Sequence, residues 1–470
     1  MEETANLSIF GRNCAALSRR AILCAACTAP TMAIARHLPQ SSRPNILVIV
    51  ADDLGYADLS CYGARDIHTP SIDAIAARGL RLTQGYSNSP VCSATRTALA
   101  TGMYQYRFPI GLEEPVGDEQ SELRLPIDRV TFAIPFKEAG YRTGLIGKWH
   151  LGPSDAASPT RYGYEHYFGF RHGGVDYFRH RLRLNSDRTP GDGLYFGDEP
   201  VEREGYMTDL LGAEAVRWIA LDAQRPFLLN LHFNAPHWPW QTEVDSGVTG
   251  QLGSIHHTDG GSRAIYAQMV ERMDLAVGMV LKELERSGRL DQTFILFTSD
   301  NGGERFSDMW PFTGMKGELL EGGIRVPIIL SWPAALKGAR ESDQVMLSMD
   351  VLPTLMGAAG ITARNADFDG LDLWPVLVSG ESRRRQVFWR YKNAGQAAVR
   401  DGDWKYLAIG GREFLFDLAA DQRERADLKV RHPQKFGELK SRFEVWNRDM
   451  LPYPPKSRSA ATRTFAPDRY

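Results

Sequence analysis

Four oxygen-bearing side chains fall where two apolar runs end. Asp52 and Asp53 follow "NILVIVA", and Asp300 and Asn301 follow "TFILFTS". Either pair alone is ordinary turn or cap chemistry. Two such pairs, each at a strand end with glycine close behind, make a hard oxygen-ligand set. It suits Ca²⁺, with Mg²⁺ possible, rather than zinc. Other reactive residues occupy comparable places. Lys148 and His150 follow "RTGLIG" and alternate, so an extended backbone points both to one face. His237 lies in "NAPHWPW", between Pro236 and Pro239, in a non-helical loop; His232, inside the preceding run, is expected to face the core. Lys316 lies in the glycine-rich "GMKGELLEGGIRVP". Cys92 opens "CSATRTALATG", which reads as a short helix with Arg96 one turn on and on the same face. A helix N-terminus favours an anion. A cation, several fixed positive charges, two imidazoles and a nucleophile are machinery for a tetrahedral anion.

These residues need a scaffold that gathers strand ends. "NILVIVA", "RTGLIG", "FLLNLHF", "TFILFTS" and "VPIILSWP" read as strands, and the first is apolar throughout, as in a parallel sheet buried on both faces. "SIDAIAARG" and the amphipathic residues 264–288 read as helices between them. Strands alternating with helices predict an α/β sandwich, whose ligands bind beyond the carboxyl ends of its strands. After residue 384 the pattern changes to short alternating strands, with turns at Asp401-Gly402 and Gly410-Gly411. The expected organisation is an α/β domain over 44–383, a small antiparallel sheet packed against it over 384–455, and an irregular tail over 456–470.

"CSATR" followed by "ALATG" resembles the sulfatase signature, Cys-x-Pro-x-Arg followed by a Leu-Thr-Gly-type helix. "ADDLG", "GKWHLG", "APHWP", "SDNGG" and "KGELLEGGIRVP" resemble the other blocks of that family, in family order. The resemblance is to the formylglycine-dependent sulfatases of the alkaline phosphatase superfamily. It implies a large, mostly parallel sheet sandwiched by helices, with a smaller C-terminal antiparallel subdomain. It implies a maturation enzyme that oxidises Cys92 to Cα-formylglycine, and one divalent cation held by Asp52, Asp53, residue 92, Asp300 and Asn301. It also implies roles. Arg96 holds the attacking hydroxyl of the formylglycine hydrate. Lys148, His237 and Lys316 bind sulfate oxygens, His237 or Lys316 protonates the leaving alcohol, and His150 takes the proton of the second hydroxyl. One residue departs from the usual signature: Ala94 stands where proline is usual, which bears on which maturation enzyme acts.

Composition sets the outer limits. The 470 residues carry a formal net charge of -2, which gives no general polyanion-binding surface and no reason to expect nucleic acid. Arg19 and Arg20 precede an alanine-rich stretch broken by Pro30, and Ala33-Ile34-Ala35 suits a signal peptidase. Residues 1–35 are thus expected to be an export signal, of twin-arginine type by "SRRAIL", and the protein to be periplasmic or secreted. The stretch is too short for a membrane span. Beyond it only Cys61 and Cys92 remain, which form no disulfide framework. The polar, charged insertion at 172–211 favours a sulfated sugar over an aryl sulfate, and Trp238, Trp240 and Trp310 are candidates to stack on it. The alternatives are a phosphate or phosphonate monoester hydrolase of the same superfamily, and a sulfated-glycan binding protein whose Cys92 is never converted.

Overall fold

The run that ends in Asp52 and Asp53 is apolar because both its faces are covered. In the computed structural model Leu47 and Ile49 point into one hydrophobic layer, while Ile46, Val48 and Val50 point into the other. The structure describes residues 43–117, 122–182, 192–222, 224–247, 260–362 and 367–460. The expected export signal, the middle of the 172–211 insertion and residues 461–470 lie outside the described residues.

In chain order the strands are β1 (Asn45–Ala51), β2 (Leu80–Leu82), β3 (Gly85–Tyr86), β4 (Arg142–Lys148), β5 (His166–Phe170), β6 (Leu194–Phe196), β7 (Glu199–Val201) and β8 (Phe227–His232). There follow β9 (Thr293–Ser299), β10 (Ile328–Ser331), β11 (Arg340–Ser342), β12 (Met346–Leu347), β13 (Gln386–Tyr391), β14 (Gln396–Asp401), β15 (Trp404–Ile409) and β16 (Arg412–Asp417). The main sheet has ten strands in the order β11-β2-β10-β9-β1-β8-β4-β5-β6-β7. Its centre, β9-β1-β8-β4-β5, is parallel throughout. The carboxyl ends of these strands therefore share one edge, where the sequence places its acids, lysines and histidines. The "VPIILSWP" strand, β10, runs antiparallel to β9. Helices Met207–Ala220 and Arg263–Arg286 cover one face, and helix Val351–Ala358 belongs to the layer on the other. Among the described residues no helix is long and apolar enough to cross a membrane.

The C-terminal segment forms the expected antiparallel sheet, β13-β14-β15-β16. It also forms a helix, Pro433–Arg448, where the sequence reading expected only strands; Pro433 starts it and Leu439 is its buried anchor. The sheet packs on the helix that carries Cys92. Ala94 and Ala98 share an apolar cluster with Val387, Trp389 and Leu407. A buried ionic group reinforces this junction. Lys405 Nζ lies 2.8 Å from Glu321, 2.8 Å from Glu424 and 2.8 Å from the Leu319 carbonyl oxygen. Lys405→Met keeps the apolar stem but strands Glu424 without its cation. A lost buried partner typically costs about 3–5 kcal/mol. The expected result is a matching fall in unfolding free energy, read by denaturant titration; an unchanged midpoint would contradict this role.

Candidate active site

Cys92 is the first residue of helix Cys92–Thr101, behind an extended N-cap at Val91 (φ -143°, ψ 152°). Thr95 fixes the approach: Ser89 N–H donates to its hydroxyl (3.0 Å), which donates to the Ser89 carbonyl (2.9 Å). Gly102 ends the helix in the left-handed region at φ 66°, which glycine tolerates. Every residue of the helix is buried. Arg96, one turn on from Cys92, reaches across to the end of β9. Its Nε and Nη2 lie 3.0 and 2.8 Å from Asp300 Oδ2, and Nη1 donates to the Lys148 carbonyl at 3.2 Å. His232 is buried, as expected, but packs behind this guanidinium, with Nδ1 3.3 Å from Arg96 Nη1.

The acids at the end of β1 do not simply alternate. Asp53 has φ 65°, and this left-handed step turns the chain so that both carboxylates face the same centre. Lys148 Nζ donates to Asp52 Oδ2 at 2.5 Å and Lys316 Nζ to Asp53 Oδ2 at 2.6 Å. Asn301 Nδ2 donates to Asp53 Oδ1 at 2.7 Å. Burial, joined by the charges of Asp300 and Asp53, pushes the Asp52 carboxyl well above its ordinary range against the pull of Lys148. At Asp53 burial acts in the same direction, but the charge and hydrogen bond of Lys316 override it and hold the carboxyl near 2. For Lys316, burial works against the charge, yet Asp53 and Glu304 keep the ammonium protonated well above its usual range.

Two oxygens in this cluster lack partners. Asp52 Oδ1 and Asn301 Oδ1 are buried and accept no hydrogen bond from the described residues. Ligand atoms of Asp52, Cys92 and Asp300 lie within 4.8 Å of one another, as do those of Asp52, Asp53 and His237. Unpaired buried acceptors are costly, and a hard cation among them satisfies them at once. The residues therefore fit a Ca²⁺ or Mg²⁺ ion.

The histidines hold defined tautomers. His150 lies at φ 58°, so the chain does not continue extended past Lys148, and it is this turn rather than strand alternation that brings the imidazole to the site. His150 Nε2 lies 3.1 Å from the Val116 carbonyl, which only accepts, so Nε2 carries the hydrogen. Its Nδ1 is buried and has no hydrogen-bond partner among the described residues. Burial, then the charge of Lys148, holds this ring neutral. His237 Nδ1 donates to the Trp238 carbonyl at 2.6 Å, which leaves Nε2 facing Asp53 Oδ2 at 3.6 Å. Burial keeps this ring neutral as well, despite Asp53.

Cys92, His150, His237 and Lys316 line one pocket, walled by Trp238 and Tyr391. Trp240 instead packs edge-on against Phe306 (centroids 4.9 Å apart), and Trp310 lies in the open under Arg423. Of the three tryptophans, Trp238 is the one placed to meet a ligand. Among the described residues neither Cys61 nor Cys92 forms a disulfide. The sequence reading missed Gln396, on β14. Its Nε2 donates to the Gly317 carbonyl (2.9 Å) and its Oε1 accepts from Leu319 N–H (2.8 Å), so the C-terminal sheet clamps the loop carrying Lys316. It missed Glu304 too, which accepts from Trp238 Nε1 at 2.6 Å and lies 3.9 Å from Lys316.

The family model described as Sulfatase matches residues 44–361. Arylsulfatase A of Bos taurus is 34% identical over 403 residues, covering 80% of this chain and 76% of that protein. Steryl-sulfatase of Homo sapiens is 29% identical over 526 residues, covering 85% and 86%. Among solved structures, Ps i-CgsB in complex with k-i-k-neocarrahexaose superposes with a TM-score of 0.80 at 29% identity, covering 89% of this chain and 96% of that one. Motif order, site geometry, relatives and fold converge: the chain belongs to the sulfatase family and is a sulfuric ester hydrolase.

Proposed function

We propose that this protein hydrolyses sulfate monoesters of a sulfated carbohydrate, through the hydrate of a formylglycine made from Cys92 and beside one bound divalent cation. The observation that carries this reading is the position of Cys92. It heads a buried helix and faces the same centre as the unpartnered oxygens of Asp52 and Asn301. A maturation enzyme converts the thiol; burial holds that thiol above its usual pKa, so unmodified Cys92 is a poor nucleophile. The formylglycine hydrate supplies two hydroxyls on one carbon, one to attack sulfur and one to release sulfate. Asp52, Asp53, residue 92, Asp300 and Asn301 would hold the cation, which when bound would supply charge to polarise the sulfate.

The remaining work falls to this chain's own side chains. Lys148 and Lys316 each give one donor to a carboxylate and keep two for sulfate oxygens. His237 Nε2 shares that side of the pocket. Lys316 carries a proton in the resting site, which makes it the nearer source for the leaving alcohol. His150 Nδ1, neutral and unpaired, is set to accept a hydroxyl proton. Arg96 orients the attacking hydroxyl while anchored to Asp300. The aromatic wall of Trp238 and Tyr391 suits the face of a sugar ring, and a similar solved structure holds a k-i-k-neocarrahexaose. The paired arginines and alanine-rich run at the N-terminus support export to the periplasm or beyond.

Paired steady-state assays of 4-nitrophenyl sulfate and 4-nitrophenyl phosphate test the reaction class. A larger kcat/KM for the sulfate is expected; the reverse order would move the protein to phosphate ester chemistry. Arg96→Lys keeps the charge but loses the planar fork that grips Asp300 while reaching Lys148. It is expected to lower kcat by about 100-fold, with a lower formylglycine content besides. Normal aldehyde content with normal kcat would contradict both parts.

A further inference from the structure

Residues 458–460, in the described part of a tail expected from sequence to be irregular, are tied to the mouth of the catalytic pocket. Glu114 N–H donates to the Arg458 carbonyl at 3.0 Å and Ala460 N–H to the Glu114 carbonyl at 2.7 Å, a parallel bridge centred on Glu114 and Ser459. Arg458 N–H donates to Glu113 Oε2 at 2.7 Å, and Ser459 Oγ to Glu114 Oε2 at 2.9 Å. The Glu114 carboxylate is fully buried and also accepts from Lys392 N–H (2.9 Å) and Tyr453 O–H (2.5 Å). The backbone around Arg458 is thus held from both sides, and the anchor is a carboxylate shielded from solvent.

The Arg458 side chain is not used in this anchoring. It is exposed, lines the same pocket as Cys92, and its guanidinium pairs with no carboxylate among the described residues. Glu113 engages the Arg458 backbone, and Glu304 on the pocket wall already serves Trp238 and Lys316. The nearby lining from Pro115 to Gly117 carries no charge. Burial separates the two cationic levels of the pocket. Lys148 is fully buried and Lys316 only slightly exposed (13%), both paired with the acids, whereas Arg458 is exposed at the rim. A sulfate seated over the deep lysines leaves Arg458 beside the part of the substrate beyond the ester oxygen.

We propose that Arg458 binds a second anionic group of the substrate, so that the preferred ester is doubly charged: a sulfated glycan unit with a further sulfate or a carboxylate. This rests on the sulfatase reading and sharpens it to a substrate class. The fork of an arginine suits either anion and keeps its charge at any working pH.

Uncleavable sulfonates test it by equilibrium titration of the whole protein. Benzenesulfonate carries one charge, 4-sulfobenzoate adds a carboxylate, and benzene-1,4-disulfonate adds a second sulfonate. The unmodified chain is expected to bind at least one doubly charged probe about fivefold tighter than benzenesulfonate, the scale of a solvent-screened ion pair. Which of the two gains more tells carboxylate from sulfate recognition. Arg458→Gln is expected to remove that preference and leave benzenesulfonate affinity and thermal unfolding unchanged, because the tail is held by backbone groups. Arg458→Lys is expected to restore part of it. Binding of all three probes with equal affinity, or a preference that survives Arg458→Gln, overturns this inference and leaves the sulfatase reading standing. Failure of benzenesulfonate and both relatives to bind at all overturns the sulfate-pocket reading, and this inference with it.

Discussion

Cys92→Ala is expected to remove sulfate-ester turnover by about four orders of magnitude or more, the scale seen when a covalent nucleophile is deleted. The loss should fall on kcat. Lys148, Lys316 and His237 stay where Asp52, Asp53 and the Trp238 carbonyl hold them, so a sulfate anion still finds its donors. Alanine is also a better helix former than cysteine, and position 92 is a first-turn site with no side-chain cap to lose. The fold should therefore survive, with thermal unfolding within a few degrees of the unmodified chain. Inorganic sulfate should inhibit the parent enzyme, converted at residue 92, and bind Cys92→Ala with similar affinity. Residual turnover above about one per cent would remove residue 92 from the chemistry.

Removing the cation is expected to be almost as damaging. Dialysis against excess chelator should lower kcat/KM by about a thousandfold, with recovery on adding Ca²⁺ or Mg²⁺. The ion that restores more activity identifies the preferred one. Without it, three buried carboxylates face one another with only Lys148, Lys316 and Arg96 between them, and Asp52 Oδ1 and Asn301 Oδ1 have no partner. Asp300→Ala should do more harm than chelation, and added metal should not reverse it. That carboxylate would contribute to the proposed oxygen cage and also receives Arg96 at 2.8 Å, so its loss removes the ionic anchor of the guanidinium beside Cys92. Full activity of a metal-free preparation would contradict the cation's part in the mechanism.

Much of the site was legible because it is made of local signals repeated at strand ends. The central strands are continuous apolar runs, so their limits, and the residues just beyond them, can be read without knowing what they pair with. Parallel pairing then gathers Asp52, Lys148, His237 and Asp300 on one edge. The left-handed turns at Asp53 and His150 were not legible. Neither residue type demands positive φ, and each conformation is imposed by what surrounds it. Gln396, Lys405 and Arg458 were invisible for another reason. Their partners lie far away in the chain, at Gly317, Glu321 and Glu114, and no spacing rule links a strand of the small sheet to a glycine-rich loop that precedes it by nearly eighty residues. The helix Pro433–Arg448 was missed because its surface is largely polar and Leu439 is its one fully buried side chain.

The central claim is that residue 92 reaches the pocket as an aldehyde and not as a thiol. The direct measurement is the mass of the proteolytic peptide containing residue 92, from protein purified from its native host. The account predicts a peptide in which the cysteine thiol is replaced by an aldehyde, which reacts with a hydrazide probe and is absent from Cys92→Ala. An unmodified cysteine at position 92 in fully active protein would contradict it.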